Sequence, residues 1–298
     1  MGDSWIRHGT EWLANLQNSD SGWGYYPGGA SSVEPTVLSC LALLATHGRQ
    51  LDKASKDVVN QAAKWMAELQ HPEGWLGVTR ESSEATWPTS YAILLWSNLQ
   101  GFPDESERGV AWLLEQKGET FTEAGIVGHD GTLEGWPWIA GTHSWLEPTA
   151  MAVMALRRSN HLHHPRTRQG VRLIVDRVID GGGWNYGNTS VFGKTLRPQP
   201  APTGLALLAL ANLEINRDTV TACCSYLRNA LQRTRSPVSL SWGLLGLTAW
   251  DQRSVAAMKW LEESFYLVQE QGNSTMSMSL ACLLLGASEE SYKLLVKD

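Results

Sequence analysis

The stretch with the greatest chemical potential is Trp145-Leu146-Glu147-Pro148-Thr149-Ala150, in which a carboxyl group stands directly before a Pro-Thr step. His143 lies four residues before Glu147, close enough in sequence to hydrogen-bond it, and such a pair suits proton transfer. Glu147 is therefore the best single acid candidate. The same Glu-Pro-Thr string occurs at Glu34, and a carboxylate is favoured at any helix N-terminus, so a purely stabilising role is the competing reading. Trp87, Tyr91, Trp138, Trp145 and Tyr186 could line a binding cavity. Their ring faces would stabilise a passing cation, although each residue type is also ordinary core. Paired carboxylates of the kind that hydrolyse glycosides could be assembled from Glu34, Glu84, Asp130, Glu134 and Glu147.

The elements that must position these residues are repeats. Glu11 to Ala45 holds a helix-like run with Trp12, Leu13 and Gln17, a Gly-Trp turn at Trp23, and Pro35-Thr36 opening an apolar run. The same marks return at Trp65, Gln70, Trp75 and Pro88-Thr89, then at Trp112, Gln116, Trp136 and Pro148-Thr149. A fourth copy has Leu173, Trp184 and Pro202-Thr203, and two weaker copies follow around Tyr226 and Trp260. A constant order of marks at a loose period is the signature of a repeat array.

Within a copy, Val58, Ala62, Trp65, Met66 and Leu69 share one helical face while Lys56, Asp57, Lys64 and Glu68 are polar, so the first helix has one wet side. The second helices, such as Pro148 to Leu156 and Pro202 to Leu213, are apolar all round and should be buried on both sides. Pro at their starts suits positions where an N–H has no partner, so Pro35, Pro88, Pro148 and Pro202 mark four starts. The expected fold is all-α: an α/α toroid of about six antiparallel helix pairs in two concentric rings, with residues 1–298 forming a single domain. All inner helices then start at one end, where their dipoles converge. The two longest loops, Glu119 to Gly135 and Tyr186 to Ala201, lie at that mouth.

A formal net charge of -6 and the absence of a Lys/Arg-rich run argue against nucleic acid. The N-terminus has no signal-peptide pattern and no apolar segment is long enough to span a bilayer, so a cytoplasmic, soluble protein is expected. Cys40, Cys223, Cys224 and Cys282 lack Cys-x-x-Cys spacing and read as buried thiols. His161, His163 and His164 fall in a connector at the end opposite the mouth and read as a solvated turn rather than a ligand set. No metal or other cofactor is expected. The 15 Trp, against 4 Phe, fall mostly at repeat marks, which makes them architectural.

An aromatic, an aliphatic, a Gln a few residues on and then Gly-Trp resembles the QW repeat of squalene and other terpene cyclases and, more distantly, of protein prenyltransferase β-subunits. The resemblance runs from about residue 8 to about residue 286. It implies that Gln17, Trp23, Gln70, Trp75, Gln116 and Trp136 brace loops between helices. Cyclases of this family that protonate an alkene carry Asp-x-Asp-Asp-Thr-Ala at an inner-helix start, the middle Asp being the acid. Glu147 stands at that acid's place and Thr149 and Ala150 match, but Trp145 and Pro148 replace the flanking acids. The prenyltransferases' zinc-binding Asp-x-Cys does not occur, so that activity is not expected. The resemblance thus implies a terpene-cyclase-like protein that binds a polyprenyl or similar hydrophobic chain in an aromatic-lined central cavity, with acid-initiated cyclisation by Glu147. A noncatalytic binding or scaffold toroid that has lost the acid motif, and a carbohydrate-active toroid, are the alternatives. A second subunit or a homodimer is compatible with any of the three.

Overall fold

The computed structural model describes residues 4–47, 53–82, 84, 87–122, 127–270 and 277–296. Helices come in pairs along the chain: α1 (Ser4–Asn15) and α2 (Val33–His47), α3 (Lys53–Leu69) and α4 (Pro88–Trp96), α5 (Pro103–Glu115) and α6 (Leu146–Arg158). They continue as α7 (Pro165–Asp176) and α8 (Pro200–Ala209), α9 (Arg217–Leu231) and α10 (Pro237–Thr248), and α11 (Ala257–Glu270) and α12 (Ser277–Ala287). The second member of each pair packs against the second member of the next, and α12 returns to pack on α2. The inner ring is therefore closed, and the fold is an all-α, α/α toroid. The only strands among the described residues are β1 (Ser190–Val191) and β2 (Lys194–Thr195), a small antiparallel hairpin in the fourth loop.

The two rings differ as the residue patterns require. All nine residues of α4 are buried, whereas α3 buries only Val59, Ala62, Ala63, Trp65 and Met66 and wets its opposite face. A further short helix, α13 (Glu290–Leu295), was not anticipated. It packs on α2, α6 and α10 at the end where inner helices finish, and the Asn98 amide donates to its Leu294 carbonyl at 2.9 Å. No described helix is long and apolar enough to cross a membrane.

Prolines mark the inner-helix starts less sharply than expected. Pro88 opens α4, but Pro35, Pro148 and Pro202 are each the third residue of their helix. The first four N–H groups of any helix lack an internal acceptor, so proline is tolerated throughout that turn. The threonine that follows performs the repeated task. Thr36, Thr89, Thr149 and Thr203 are fully buried. Their hydroxyls accept the N–H of Trp23, Leu76, Trp136 and Trp184, each at 2.9 Å, and lie 3.2 to 3.5 Å from the carbonyl of the same residue. One hydroxyl thereby fastens the loop to the helix and gives a buried loop N–H its acceptor.

This fastening corrects the register of the second copy. Leu76, not Trp75, is the residue thirteen before the threonine, as Trp23 and Trp136 are in theirs. The residue two positions before the fastened one has a positive φ in three copies: Ser21 (74°), Gly74 (101°) and Gly182 (103°). Trp75 therefore corresponds to Gly22, points outward and stacks on His71 with ring centroids 4.3 Å apart. Trp23, Trp136 and Trp184 are buried and donate their indole N–H groups to the carbonyls of Leu13, Leu113 and Ile174. The repeat glutamines diverge too. Gln17 and Gln70 donate to carbonyls of the following loop, at Ser21 and Gly74, and of the next outer helix, at Val58 and Glu105. In the third copy Arg166 does the bracing instead. Its guanidinium donates to the carbonyls of Gln116, Glu134 and Gly135 and lies 3.7 Å over the Trp136 ring.

Candidate active site

The threonine fasteners set which side chains face the mouth. Two residues before each threonine stand Glu34, Trp87, Glu147 and Ala201, so copies one and three place a carboxyl where copies two and four place an indole and a methyl. Because α4 lies between α2 and α6, the two glutamates approach the mouth from either side of it. Glu34 is buried and accepts the Tyr25 hydroxyl at 2.7 Å, and the Tyr91 hydroxyl on α4 bonds the same carboxylate. Glu147 is partly buried and, among the described residues, makes no hydrogen bond of its own.

Burial pushes the Glu147 carboxyl from its usual 4.5 up to about 8, with the nearby Glu34 charge adding to the effect. Burial raises Glu34 as well, but the Tyr25 and Tyr91 hydroxyls oppose it by bonding the anion. Burial thus favours the protonated form of Glu147 near neutrality, while the two hydroxyls favour the anion of Glu34 against its own burial. Both tyrosines are raised by burial first and by the carboxylates second, so they remain neutral donors. Tyr186 is shifted upward by burial and by Glu147.

The other candidates fall into separate places. His143 does not meet Glu147: its ring is exposed, Nδ1 lies 3.1 Å from the Glu119 carbonyl, and Phe121 packs edge-on at 5.5 Å. The reason is local, because His143 precedes α6 on a strand-like bridge to Glu119 and does not share a helical face with Glu147. Trp87 and Trp138 meet edge to face, with centroids 5.0 Å apart, and both line a small cleft with Trp136 and Pro148. Trp145, 38% exposed, rests against Gly187, where any added Cβ would strike its ring. Tyr186, 48% exposed, accepts the Leu146 N–H through its carbonyl at 2.9 Å. Tyr91, at 1%, is buried against Glu34 rather than on an open wall. Larger cavities, of about 660 and 830 Å³, lie elsewhere, beside α1 and at the α4–α5 connector.

Glu84 and Asp130 are exposed, and Glu134 lies 3.4 Å from Lys117, which leaves Glu34 and Glu147 as the shielded carboxyls among the five candidates. Tyr25 carried no sequence mark, but the repeated Glu-Pro-Thr was a usable signal for Glu34. His164 caps α7, its ring nitrogen accepting the Arg166 N–H at 3.2 Å, and no group of potential metal ligands occurs among the described residues.

No family model matches the chain. Squalene–hopene cyclase of Bradyrhizobium diazoefficiens is 27% identical over 212 residues, covering 61% of this chain and 30% of that protein. The chain is thus similar in sequence to a squalene cyclase. The chain spans less than a third of that relative's length. Its toroid is similar to a variant of type II terpene cyclase MstE from Scytonema, solved with geranylgeranyl dihydroxybenzoate as substrate. The TM-score is 0.64 at 14% identity, covering 99% of this chain and 98% of that one. It is also similar to the family 76 glycoside hydrolase (mannosidase) Bt3792 of Bacteroides thetaiotaomicron, with a TM-score of 0.62 at 10% identity and 98% of each chain covered. At those identities the likeness is one of fold.

Proposed function

We propose that the protein acts as a single-domain, terpene-cyclase-like enzyme that takes a polyprenyl or similar hydrophobic chain at the mouth of the toroid and protonates one of its double bonds from Glu147. The observation that carries this reading is a carboxyl group at an inner-helix start that keeps its proton at neutral pH. In the step itself the alkene π electrons take the Glu147 proton, a C–H bond forms, and the neighbouring carbon is left cationic. A following double bond closes a ring onto that carbon, and loss of a proton to a base ends the sequence. A carboxyl group raised to about 8 is a weak donor, so the cation needs strong stabilisation. Two carboxylates in a poorly solvated setting supply it, with the Trp145 and Tyr186 ring faces adding quadrupole attraction. The reading places the protein in the cytoplasm and assigns it no cofactor.

The carboxyl pair and the mannosidase-like fold together support a second reading, in which Glu147 is the general acid for a glycosidic oxygen and Glu34 the second carboxylate. Incubation with squalene, with geranylgeranyl dihydroxybenzoate and with mannan fragments separates the two. A cyclised hydrocarbon product supports the first, released sugar the second. Turnover of none, with an isoprenoid retained in native mass spectra of purified protein, supports a noncatalytic binding toroid.

A further inference from the structure

We propose that the wedge between α5 and the finishing ends of α4 and α6 binds a small amphipathic carboxylate, whose anion rests on Arg158 and whose apolar body lies along Phe102, Val110 and Leu114. The wedge holds about 830 Å³, a volume in the range of small-molecule sites, and it lies at the end of the toroid away from the mouth. It is therefore independent of the chemistry assigned to Glu147. Equivalent wedges, of about 660 and 350 Å³, lie against α1 in the first helix pair and against α9 in the fifth, each bordered by residues at or just past inner-helix ends. The repeat thus makes the wedge, and the side chains of the third pair make it a site.

The arginines of the other two wedges, Arg7, Arg217 and Arg228, are exposed to water, whereas Arg158 is partly buried at the last position of α6. Its Nη2 donates to the Asn98 Oδ1 at 2.6 Å. Asn98 is fixed in turn by its own amide, which donates to the Leu94 carbonyl at 2.7 Å and to the Leu294 carbonyl at 2.9 Å. The guanidinium is thus held in place before a ligand arrives, which lowers the ordering cost of binding. No carboxylate pairs with it among the described residues. Arg158 Nε and His161 Nδ1, in the same wall, are buried without a partner. Buried polar atoms normally have partners, so two orphans in one wall mark where a polar group from outside completes it. In the same lining the Ser97 hydroxyl stands 3.3 Å from that of Ser159 and 3.4 Å from that of Ser106, so three hydroxyls gather where α4 ends, α5 starts and α6 ends. One guanidinium offsets one negative charge, and Glu107, exposed in the same lining, repels a second, so a carboxylate fits better than a phosphate dianion. The buried Phe102 and Val110 and the partly buried Leu114 supply the apolar wall.

The test is an amide NMR titration of the full chain with decanoate, with decanol as the uncharged control, both below the concentrations at which they aggregate. Decanoate should shift the amides of Ser97, Ser106 and Ser159, and decanol should bind there about tenfold more weakly, the worth of one charge-assisted hydrogen bond. Arg158→Gln should weaken decanoate by a similar factor, to the level of decanol, with Arg158→Lys in between. Ala111→Trp, which fills the wedge from its exposed side and leaves its charge unaltered, should abolish the shifts with both probes. Shifts that are absent or confined to the mouth loops overturn the proposal, as do equal affinities for decanoate and decanol, or undiminished decanoate binding by a folded Arg158→Gln protein. Should that variant not fold, undiminished binding by Ala111→Trp overturns it instead. Wedge amides that shift with protein concentration in the absence of a probe would make a second copy of the chain the occupant and overturn it too. The titration involves no turnover, so its outcome stands apart from that of the cyclisation assay.

Discussion

Glu147 shows what one carboxyl costs the fold. Its midpoint is raised in the folded state from 4.5 to about 8, so the folded protein binds the proton more tightly than the unfolded chain. The stability this contributes is fully present below pH 4.5 and is lost as pH rises through about 8, at up to about 1.4 kcal/mol per pH unit between the two values. Thermal unfolding followed by circular dichroism should therefore show Tm falling from pH 5 to pH 8, with Glu147→Gln flattening the fall. An unaltered protein whose Tm is constant across that range would mean that Glu147 is solvated and ionised. The sequence pointed to Glu147 through the family pattern, but it offered His143 as the partner, and that contact does not form. Four residues apart places two side chains together only on a continuous helix, and α6 starts after His143. The residue whose charge adds to the Glu147 shift is Glu34, more than a hundred positions away on α2, with α4 packed between its helix and α6.

At the level of elements, the alternation of amphipathic and wholly apolar helices was legible because burial leaves a period in the sequence. The boundary of each inner helix was less so, since a proline is accepted anywhere in the first turn. The Gly-Trp mark misled by one residue in the second copy, where Leu76 fills the buried position and Trp75 turns outward onto His71. That register is testable by chemical denaturation. Leu76→Ala should cost about 2 to 5 kcal/mol, as a fully buried leucine does. Trp75→Ala, at a partly exposed stack, should cost about 1 kcal/mol or less. The opposite ranking would restore Trp75 as the structural tryptophan. The short helix α13 was invisible for a different reason: six residues carry too little pattern to separate a capping helix from the tail of the last repeat.

For the whole molecule, closure follows from the absence of a polar end. An open array must present a wet face at both termini, but α12 and α2 are apolar all round and bury themselves against each other. Closure brings the six inner-helix starts to one mouth, where the first, second, third and fourth loops meet. In the proposed reaction a proton passes from Glu147 to a double bond of a bound polyprenyl chain. Turnover of squalene or geranylgeranyl dihydroxybenzoate in D2O, with products analysed by mass spectrometry, tests it most directly. A cyclised product carrying one deuterium at the carbon protonated first is expected, with no product from Glu147→Gln and a slowed but real yield from Glu34→Gln. Undiminished deuterated product from a folded Glu147→Gln protein would contradict it.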